Sequence, residues 1–105
     1  MNVLIVGMGR TGGFLASALM ESGVHQVSGI ESREDHAAAL AAAGIRVIQA
    51  DGCEPATLEQ AGIRNADLVV ATTGDDEDNL VIAQLAKLHF QVPRVIARVN
   101  HPRNH

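Results

Sequence analysis

The feature that most constrains this chain is an apolar strand that runs directly into a glycine-rich turn. The strand is predicted at Asn2–Val6, a helix is predicted at Thr11–Ser22, and the turn between them is Gly7-Met8-Gly9-Arg10-Thr11-Gly12. Glycines in this pattern permit a tight turn, a close approach of the backbone to a phosphate, and close packing of the helix on the strand. The free N–H groups at the start of such a helix favour an anion. The motif therefore predicts a parallel α/β fold with an anion site at the turn.

Predicted strands and helices alternate along the rest of the chain. Four further strands are predicted at Gln26–Ile30, Ile45–Gln49, Asp67–Ala71 and Arg94–Val99. The helices between them are predicted after an N-cap at Ser32, from Pro55 up to Gly62, and at Asp76–Phe90. Single helices between strands give right-handed parallel crossovers. We therefore predict one Rossmann-like, doubly wound α/β domain over residues 1–105, with strand order 3-2-1-4-5, helices on both faces, and truncation before a sixth strand.

Predicted helix four is apolar on more than one face. Its apolar residues include Leu80, Val81, Ile82, Leu85 and Leu88. A helix that is apolar nearly all round is usually covered on both sides. We therefore expect a homo-oligomer, a dimer or larger, with helix four at the interface; burial of the helix within its own core is the alternative.

The candidate ligand-binding residues come from segments that meet at the carboxyl ends of the predicted strands, where ligands bind in such sheets. Glu31 follows strand two at the distance from the glycines at which a carboxylate accepts hydrogen bonds from a ribose. Arg10 is placed to contact a phosphate, and Asp51 lies where an adenine edge is expected. The full set is Gly7, Met8, Gly9, Arg10, Thr11, Gly12, Glu31, Ser32, Asp51, Gly52, Cys53, Thr72, Thr73 and Gly74.

Each candidate also has a structural alternative. Glu31 and Arg10 are alternatively solvated surface residues, and Asp51 is alternatively a turn former. Replacing Glu31 by Ala is expected to weaken the binding of adenosine nucleotides and to leave the fold intact. Arg33 is predicted to be an ordinary first-turn helix residue, with recognition of a 2′-phosphate as the alternative.

Composition and missing motifs exclude several classes of function. The net charge of −4 and the absence of Trp and Tyr argue against a nucleic-acid partner. No nucleophile–base pair, HExxH, GxSxG or Walker motif is present, so no catalytic residue is predicted. The histidines have no metal-site spacing, and Cys53 is predicted to be inert. The acidic run 75–78 is predicted to begin helix four, with a divalent-cation site as the alternative. No signal peptide and no direct membrane insertion are expected.

Six stretches carry a resemblance when they are taken in order: VLIVGMGRTG (3–12), DGCEP (51–55), LEQAGI (58–63), ADLVV (66–70), TGDDEDNL (73–80) and VPRVIARV (92–99). Together they resemble the TrkA-N or RCK N-terminal domain, the nucleotide-sensing module of regulators of potassium conductance and uptake. The resemblance implies binding of NAD(H) or ATP/ADP without chemistry on them. It also implies a ligand-driven rearrangement of an oligomer that gates an attached potassium channel or transporter at the cytoplasmic face of the membrane.

The resemblance also implies roles for individual residues. The phosphates are held by Gly7, Gly9, Arg10 and Gly12, the adenosine ribose by Glu31, and the adenine lies near Asp51 and Cys53. The family more often has Asp at the position of Glu31, and Ser28-Gly29 interrupts a strand that is usually apolar throughout. Two other functions are left open: the cofactor-binding half of a truncated NAD-dependent oxidoreductase, and an assembly module with a vestigial site.

Overall fold

Five parallel strands form a single sheet in the computed structural model, which describes residues 1–23 and 26–101. The strands are Asn2–Val6 (β1), Gln26–Glu31 (β2), Arg46–Gln49 (β3), Leu68–Ala71 (β4) and Arg94–Ala97 (β5). Their order is β3-β2-β1-β4-β5, and every neighbouring pair is parallel. The predicted Rossmann-like order is therefore confirmed.

The helices lie between the strands, as their spacing predicted. They are Arg10–Glu21 (α1), Glu34–Ala42 (α2), Pro55–Gln60 (α3) and Asp76–Gln84 (α4). A 3₁₀ turn at residues 63–65 follows α3, and a π-helical turn at residues 85–89 continues α4. The first turns of α2 and α4 carry acidic residues, which the positive end of a helix dipole favours.

The prediction that Ser32 caps α2 is wrong. The N-cap is Arg33, whose backbone is extended and whose side chain makes no capping hydrogen bond. The carboxylate of Glu31 accepts a hydrogen bond from the backbone N–H of Arg33 at 2.9 Å. Because this bond holds residue 33 in an extended conformation, the helix begins only at Glu34.

Strand β1 lies at the centre of the sheet, and its side chains alternate between two apolar layers. Leu4 and Val6 pack with the cluster that includes buried residues of α3 and α4. Val3 and Ile5 pack with the cluster on the α1 and α2 side. The sheet is thus covered on both faces, which explains why β1 is apolar without interruption.

The glycine in the middle of β2 has a packing reason. A Cβ added at Gly29 would overlap the Sδ atom of Met8, whose side chain is buried in the core. The side chain of Met8 in the glycine turn therefore packs on the sheet, and the absence of a side chain at Gly29 leaves room for it. The Ser28-Gly29 interruption in the apolar pattern of β2 thus helps to hold the glycine turn in place.

Candidate functional site

The glycine turn is held in place by contacts that admit no side chain at two of its positions. Gly7 has a φ of +87°, and a Cβ there would lie 2.7 Å from the backbone of Thr73. A Cβ at Gly12 would lie 2.6 Å from the carbonyl oxygen of Gly7. At Gly9, by contrast, the nearest atom to an added Cβ is the guanidinium Nη2 of Arg33, at 3.2 Å. Gly7 and Gly12 thus shape the turn, and Gly9 presents open backbone to the space above it.

That space is a cleft of about 500 Å³ at the carboxyl ends of β1, β2, β4 and β5. Its volume lies within the range of small-molecule sites. It lies at the switch point of the sheet, where ligands bind in this class of fold. Its lining residues are Gly7, Gly9, Arg10, Thr11, Glu31, Ser32, Arg33, Thr72, Thr73, Gly74, Arg98 and Asn100.

The other predicted residues lie beside or beneath the cleft. Asp51, Gly52 and Cys53 line an adjoining pocket of about 90 Å³ that shares Gly7, Ser32 and Thr73 with the cleft. The side chain of Met8 is buried in the core, and Gly12 packs under the turn. The predicted set therefore divides into a main cleft, a smaller side pocket and two residues that support the turn.

Glu31 is a buried carboxylate, only 3% exposed, that organises the glycine turn. Its Oε1 accepts a hydrogen bond from the backbone N–H of Met8 at 2.9 Å. Its Oε2 accepts from the backbone N–H of Arg33 at 2.9 Å and from the Arg33 Nε at 3.2 Å. Because a carboxylate has about four lone-pair sites, these three bonds leave capacity for one further donor in the cleft.

Three arginines line the cleft: Arg10, Arg33 and Arg98. The guanidinium of Arg33 reaches over Gly9, and the Nη1 of Arg98 donates to the Thr11 Oγ1 at 2.9 Å. These cations flank the N-terminus of α1, where the helix dipole also favours an anion. The electrostatics of the cleft thus suit a phosphate-bearing ligand.

Sequence reasoning missed two of the lining residues and set a third aside. Arg98 and Asn100 follow β5 and were not singled out, and Arg33 was predicted to be an ordinary helix residue. A usable signal existed for Arg98, because a parallel strand beside β4 places the residue after its end at the same sheet edge as Thr72. For Arg33 the signal is its position two residues after Glu31, which is close enough for the two side chains to form an ion pair.

The loop between β4 and α4 is fixed by one buried amide. Asn79 is 1% exposed, and its Oδ1 accepts from both the backbone N–H and the Oγ1 of Thr73, each at 2.8 Å. Its Nδ2 donates to the carbonyl oxygens of Thr73 and Arg98, each at 3.1 Å. One side chain therefore joins the β4 and β5 walls of the cleft.

The acidic residues at the start of α4 accept hydrogen bonds from groups of the chain itself. Asp75 is the N-cap and accepts from the backbone N–H of Asp78 at 3.1 Å. Asp76 accepts from the backbone N–H of Asn100 at 2.6 Å, from its side-chain amide at 3.0 Å, and from the backbone N–H of His101 at 2.9 Å. The backbone hydrogen bond from Asn100 is the largest cause that holds the pKa of Asp76 below its usual value.

Cys53 lies in the side pocket as a thiol rather than a thiolate. Burial, together with the negative charges of Asp78 and Asp51, raises its pKa to about 12. Thiolate chemistry is therefore disfavoured at this position. Within residues 1–23 and 26–101, no group of three or more His, Cys, Asp and Glu side chains is arranged to hold a metal ion. His25 and His105 lie outside the described residues.

One buried polar atom in the cleft wall has no partner. In the described part of the chain, the Oγ1 of Thr72 is buried without a hydrogen bond, and the residue is 6% exposed. A buried hydroxyl without a partner is costly.

Comparison with known proteins identifies the family. The family model of the TrkA-N domain matches residues 3–105. The chain belongs to the TrkA-N domain family. This TrkA-N domain is 45% identical over 106 residues to the Trk system potassium uptake protein TrkA of Mycobacterium tuberculosis, covering 99% of this chain and 47% of that protein. It is 43% identical over 103 residues to a TrkA homolog of Methanothermobacter thermautotrophicus, covering 97% of this chain and 47% of that protein. The predicted resemblance is confirmed, and the chain spans about half the length of these relatives.

Solved structures agree with the fold of the TrkA-N domain. The TrkA-N domain of the Escherichia coli inner membrane protein ybaL has a TM-score of 0.81 at 20% identity, over 90% of this chain and 69% of that one. The Shewanella denitrificans Kef CTD in AMP-bound form has a TM-score of 0.74 at 25% identity, over 91% of this chain and 57% of that one. Among the described residues of this domain, no helix is both long enough and apolar enough to cross a membrane.

Proposed function

We propose that this TrkA-N domain is a non-catalytic nucleotide-binding regulatory domain of a potassium channel or uptake system. The observation that carries the proposal is the cleft, which is lined by the glycine turn, the N-terminus of α1, three arginines and Glu31. Cations and helix N–H groups suit the phosphates of NAD(H) or ATP/ADP, and the carboxylate suits a ribose. Two relatives that are named as potassium uptake proteins support the choice of transport system.

Each part of the nucleotide has a proposed place. Gly7, Gly9 and Arg10, which line the cleft, hold the phosphates, and Gly12 supports the turn from beneath. The remaining acceptor capacity of Glu31 takes a ribose hydroxyl, because its other lone pairs bind the turn and Arg33. The adenine extends toward the side pocket, the one that contains Asp51 and Cys53. The AMP-bound Kef structure supports an adenine nucleotide as the ligand class.

Regulation then follows from a difference in affinity. A nucleotide shifts the domain between two states only by as much as it binds one state more tightly than the other. The proposed partner is the membrane subunit of the channel or transporter, which places the domain at the cytoplasmic face of the membrane. The nucleotide itself undergoes no reaction.

Helix α4 and its π-helical extension are proposed to form the interface of a homo-oligomer. One side of this helical segment is buried in the domain through Ile82 and Ala86. The other side exposes Leu80 and Leu88, which are 57% and 76% exposed. A second copy of the chain covers these leucines. Sedimentation of Leu88→Lys at a series of concentrations tests this: a shift toward monomer is expected, and an unchanged distribution contradicts the interface.

The nucleotide proposal is tested by calorimetric titration with NADH, NAD, NADPH, ATP, ADP and AMP, one at a time. Tight and discriminating binding of one member of a pair is expected. Gly9→Val should abolish that binding, because its side chain enters the cleft and meets only the end of the Arg33 side chain. Gly13→Ala is the matched control, since its Cβ contacts Leu40 at an ordinary 3.5 Å, away from the cleft.

The outcomes separate the proposal from its rivals. Retained affinity in a folded Gly9→Val variant would place the ligand elsewhere. Oxidation or reduction of a bound nicotinamide, with a second substrate, would favour the oxidoreductase. Binding of no nucleotide by an oligomeric wild-type protein would leave the assembly module.

A further inference from the structure

The segment that follows β5, residues 98–101, forms one wall of the cleft, and we call it the strap. Arg98 and Asn100 of the strap line the cleft. The Nη1 of Arg98 donates to the Thr11 Oγ1 at 2.9 Å, so this side chain reaches the first turn of α1. A ligand that fills the cleft therefore contacts the strap on one side and the glycine turn on the other.

The strap is tied to the loop between β4 and α4 by the carboxylate of Asp76. Its Oδ1 accepts from the backbone N–H of Asn100 at 2.6 Å and from the side-chain amide of Asn100 at 3.0 Å. Its Oδ2 accepts from the backbone N–H of His101 at 2.9 Å. The amide of Asn100 also donates to the Thr73 carbonyl at 3.0 Å. Both oxygens of one carboxylate are thus used to hold the strap.

The two ends of the strap are held in different ways. Its start continues the pairing of β4 with β5, because the backbone N–H of Arg98 donates to the Ala71 carbonyl at 2.8 Å. The backbone N–H groups of Asn100 and His101 donate instead to a side chain, that of Asp76. The position of the far end of the strap therefore depends on Asp76 and not on the sheet.

Asp76 acts on the cleft through Asn100 rather than by direct contact. It is not among the residues that line the cleft, whereas Asn100 and Thr73 are. Its carboxylate makes three charge-assisted hydrogen bonds, which are stronger than bonds between neutral groups. A wall that is fixed in advance need not be ordered when a ligand binds, and such ordering lowers affinity. Asp76 therefore pre-organises the wall that the strap forms.

We propose that Asp76 is a positioning residue that holds the strap against the cleft, so that occupancy of the cleft and order of the strap depend on each other. The inference rests on the function proposed above. The bonds of Asp76 raise the affinity for the nucleotide, and the nucleotide stabilises those bonds by the same factor, since coupling between two sites is reciprocal. The state of the cleft is thereby passed to residue 101, beyond the end of the sheet.

Calorimetric titration with ADP, ATP and NAD measures the effect on affinity. Asp76→Ala should lower the affinity about fivefold to a hundredfold, the range typical of coupling between sites. Asp76→Asn keeps an oxygen for the two Asn100 donors but presents an amide to the His101 N–H, so its affinity should lie between those of wild type and Asp76→Ala. Glu77→Ala is the matched control, because it removes the same charge from an exposed neighbour in the first turn of α4, outside the cleft. It should change the affinity by less than about twofold.

Hydrogen exchange of the strap amides distinguishes positioning from a general loss of stability. In the wild type, saturating nucleotide should slow the exchange of the Asn100 and His101 amides. In Asp76→Ala these two amides should exchange faster without nucleotide, and nucleotide should slow them less. The change should be larger at the strap than in β1, whose amides report on the stability of the whole sheet.

Two results would overturn the positioning role in a protein that binds nucleotide. One is an unchanged affinity in a folded Asp76→Ala variant. The other is exchange of the wild-type strap amides at the same rate with and without nucleotide. Failure of the wild-type protein to bind ADP, ATP and NAD would overturn the proposed function and this inference with it, so the two failures are distinguishable.

Discussion

Replacing Glu31 by Ala should destabilise the domain as well as weaken nucleotide binding. The carboxylate is 3% exposed and is the acceptor for the N–H of Met8, a residue that is itself 1% exposed. A buried N–H that loses its acceptor costs about 1–3 kcal/mol. The bond to the half-exposed Arg33 side chain adds about 0–1 kcal/mol. The expected loss of unfolding free energy is therefore about 1–4 kcal/mol, a large share of the roughly 5–15 kcal/mol typical of a small domain.

Urea unfolding followed by circular dichroism measures this loss. With a slope of about 2 kcal/mol/M, in the middle of the range for small proteins, the midpoint of Glu31→Ala should fall by about 0.5–2 M. Glu31→Gln keeps an oxygen for the Met8 N–H but presents an amide to Arg33, so its loss should be smaller, about 1–2 kcal/mol. Glu21→Ala, an exposed acid on α1, is the control and should change stability by less than about 0.5 kcal/mol.

A Glu31→Ala variant as stable as the control would refute the reasoning, since the Met8 N–H would then need no carboxylate. The hydrogen bonds of Glu31 add a cost in stability to the sequence-based expectation that this substitution weakens nucleotide binding and leaves the fold intact. Nucleotide affinities are therefore better compared with Glu31→Gln, in which the turn keeps one of its bonds.

Two further predictions concern the support of the cleft. Gly29→Ala should lower the thermal midpoint of unfolding because its Cβ overlaps the buried Met8 Sδ. Gly13→Ala in α1 should instead raise the free energy of unfolding by about 0.5–1 kcal/mol. Equal midpoints for the two variants would contradict the packing of Met8 over Gly29. The pKa of Asp76 is lowered in the folded state. Its ionised carboxylate therefore contributes fully to the free energy of unfolding above the ordinary pKa, and this contribution is lost as the pH falls through the pKa of the folded state. The stability difference between wild type and Asp76→Asn should accordingly shrink below about pH 4, and a difference that stays constant to lower pH would show that the carboxylate does not hold Asn100.

The strand order and the turn could be predicted because they depend on local pattern. Apolar runs between glycine and proline positions mark the five strands, and the spacing of the strands sets the parallel crossovers. The conformations of Gly7 and Gly12 also follow from the motif, since its spacing specifies which glycine turns the chain and which packs the helix. The position of a residue within a strand or a helix depends on its near neighbours in the chain, so it can be predicted directly from the sequence.

The partners of the charged groups could not be predicted in the same way. Serine is a good N-cap by propensity, yet α2 starts later because Glu31 holds residue 33 extended. Glu31 was predicted to face a ribose, and its first partners in the structure are the Met8 N–H and Arg33. Which donors a carboxylate binds depends on distances between groups in the folded chain, and propensity does not contain these distances.

The pattern of residues along the chain was sufficient to predict the Rossmann-like sheet, its doubly covered core and the location of the cleft at the strand ends. Only the folded structure shows that Met8 packs over Gly29, that Asn79 joins β4 to β5, and that Arg98 reaches Thr11 across the cleft. The physical reason is that secondary structure follows from periodicity over a few residues. The chemistry of a site follows from a few ångströms between groups that, as with Arg98 and Thr11, lie at opposite ends of the chain.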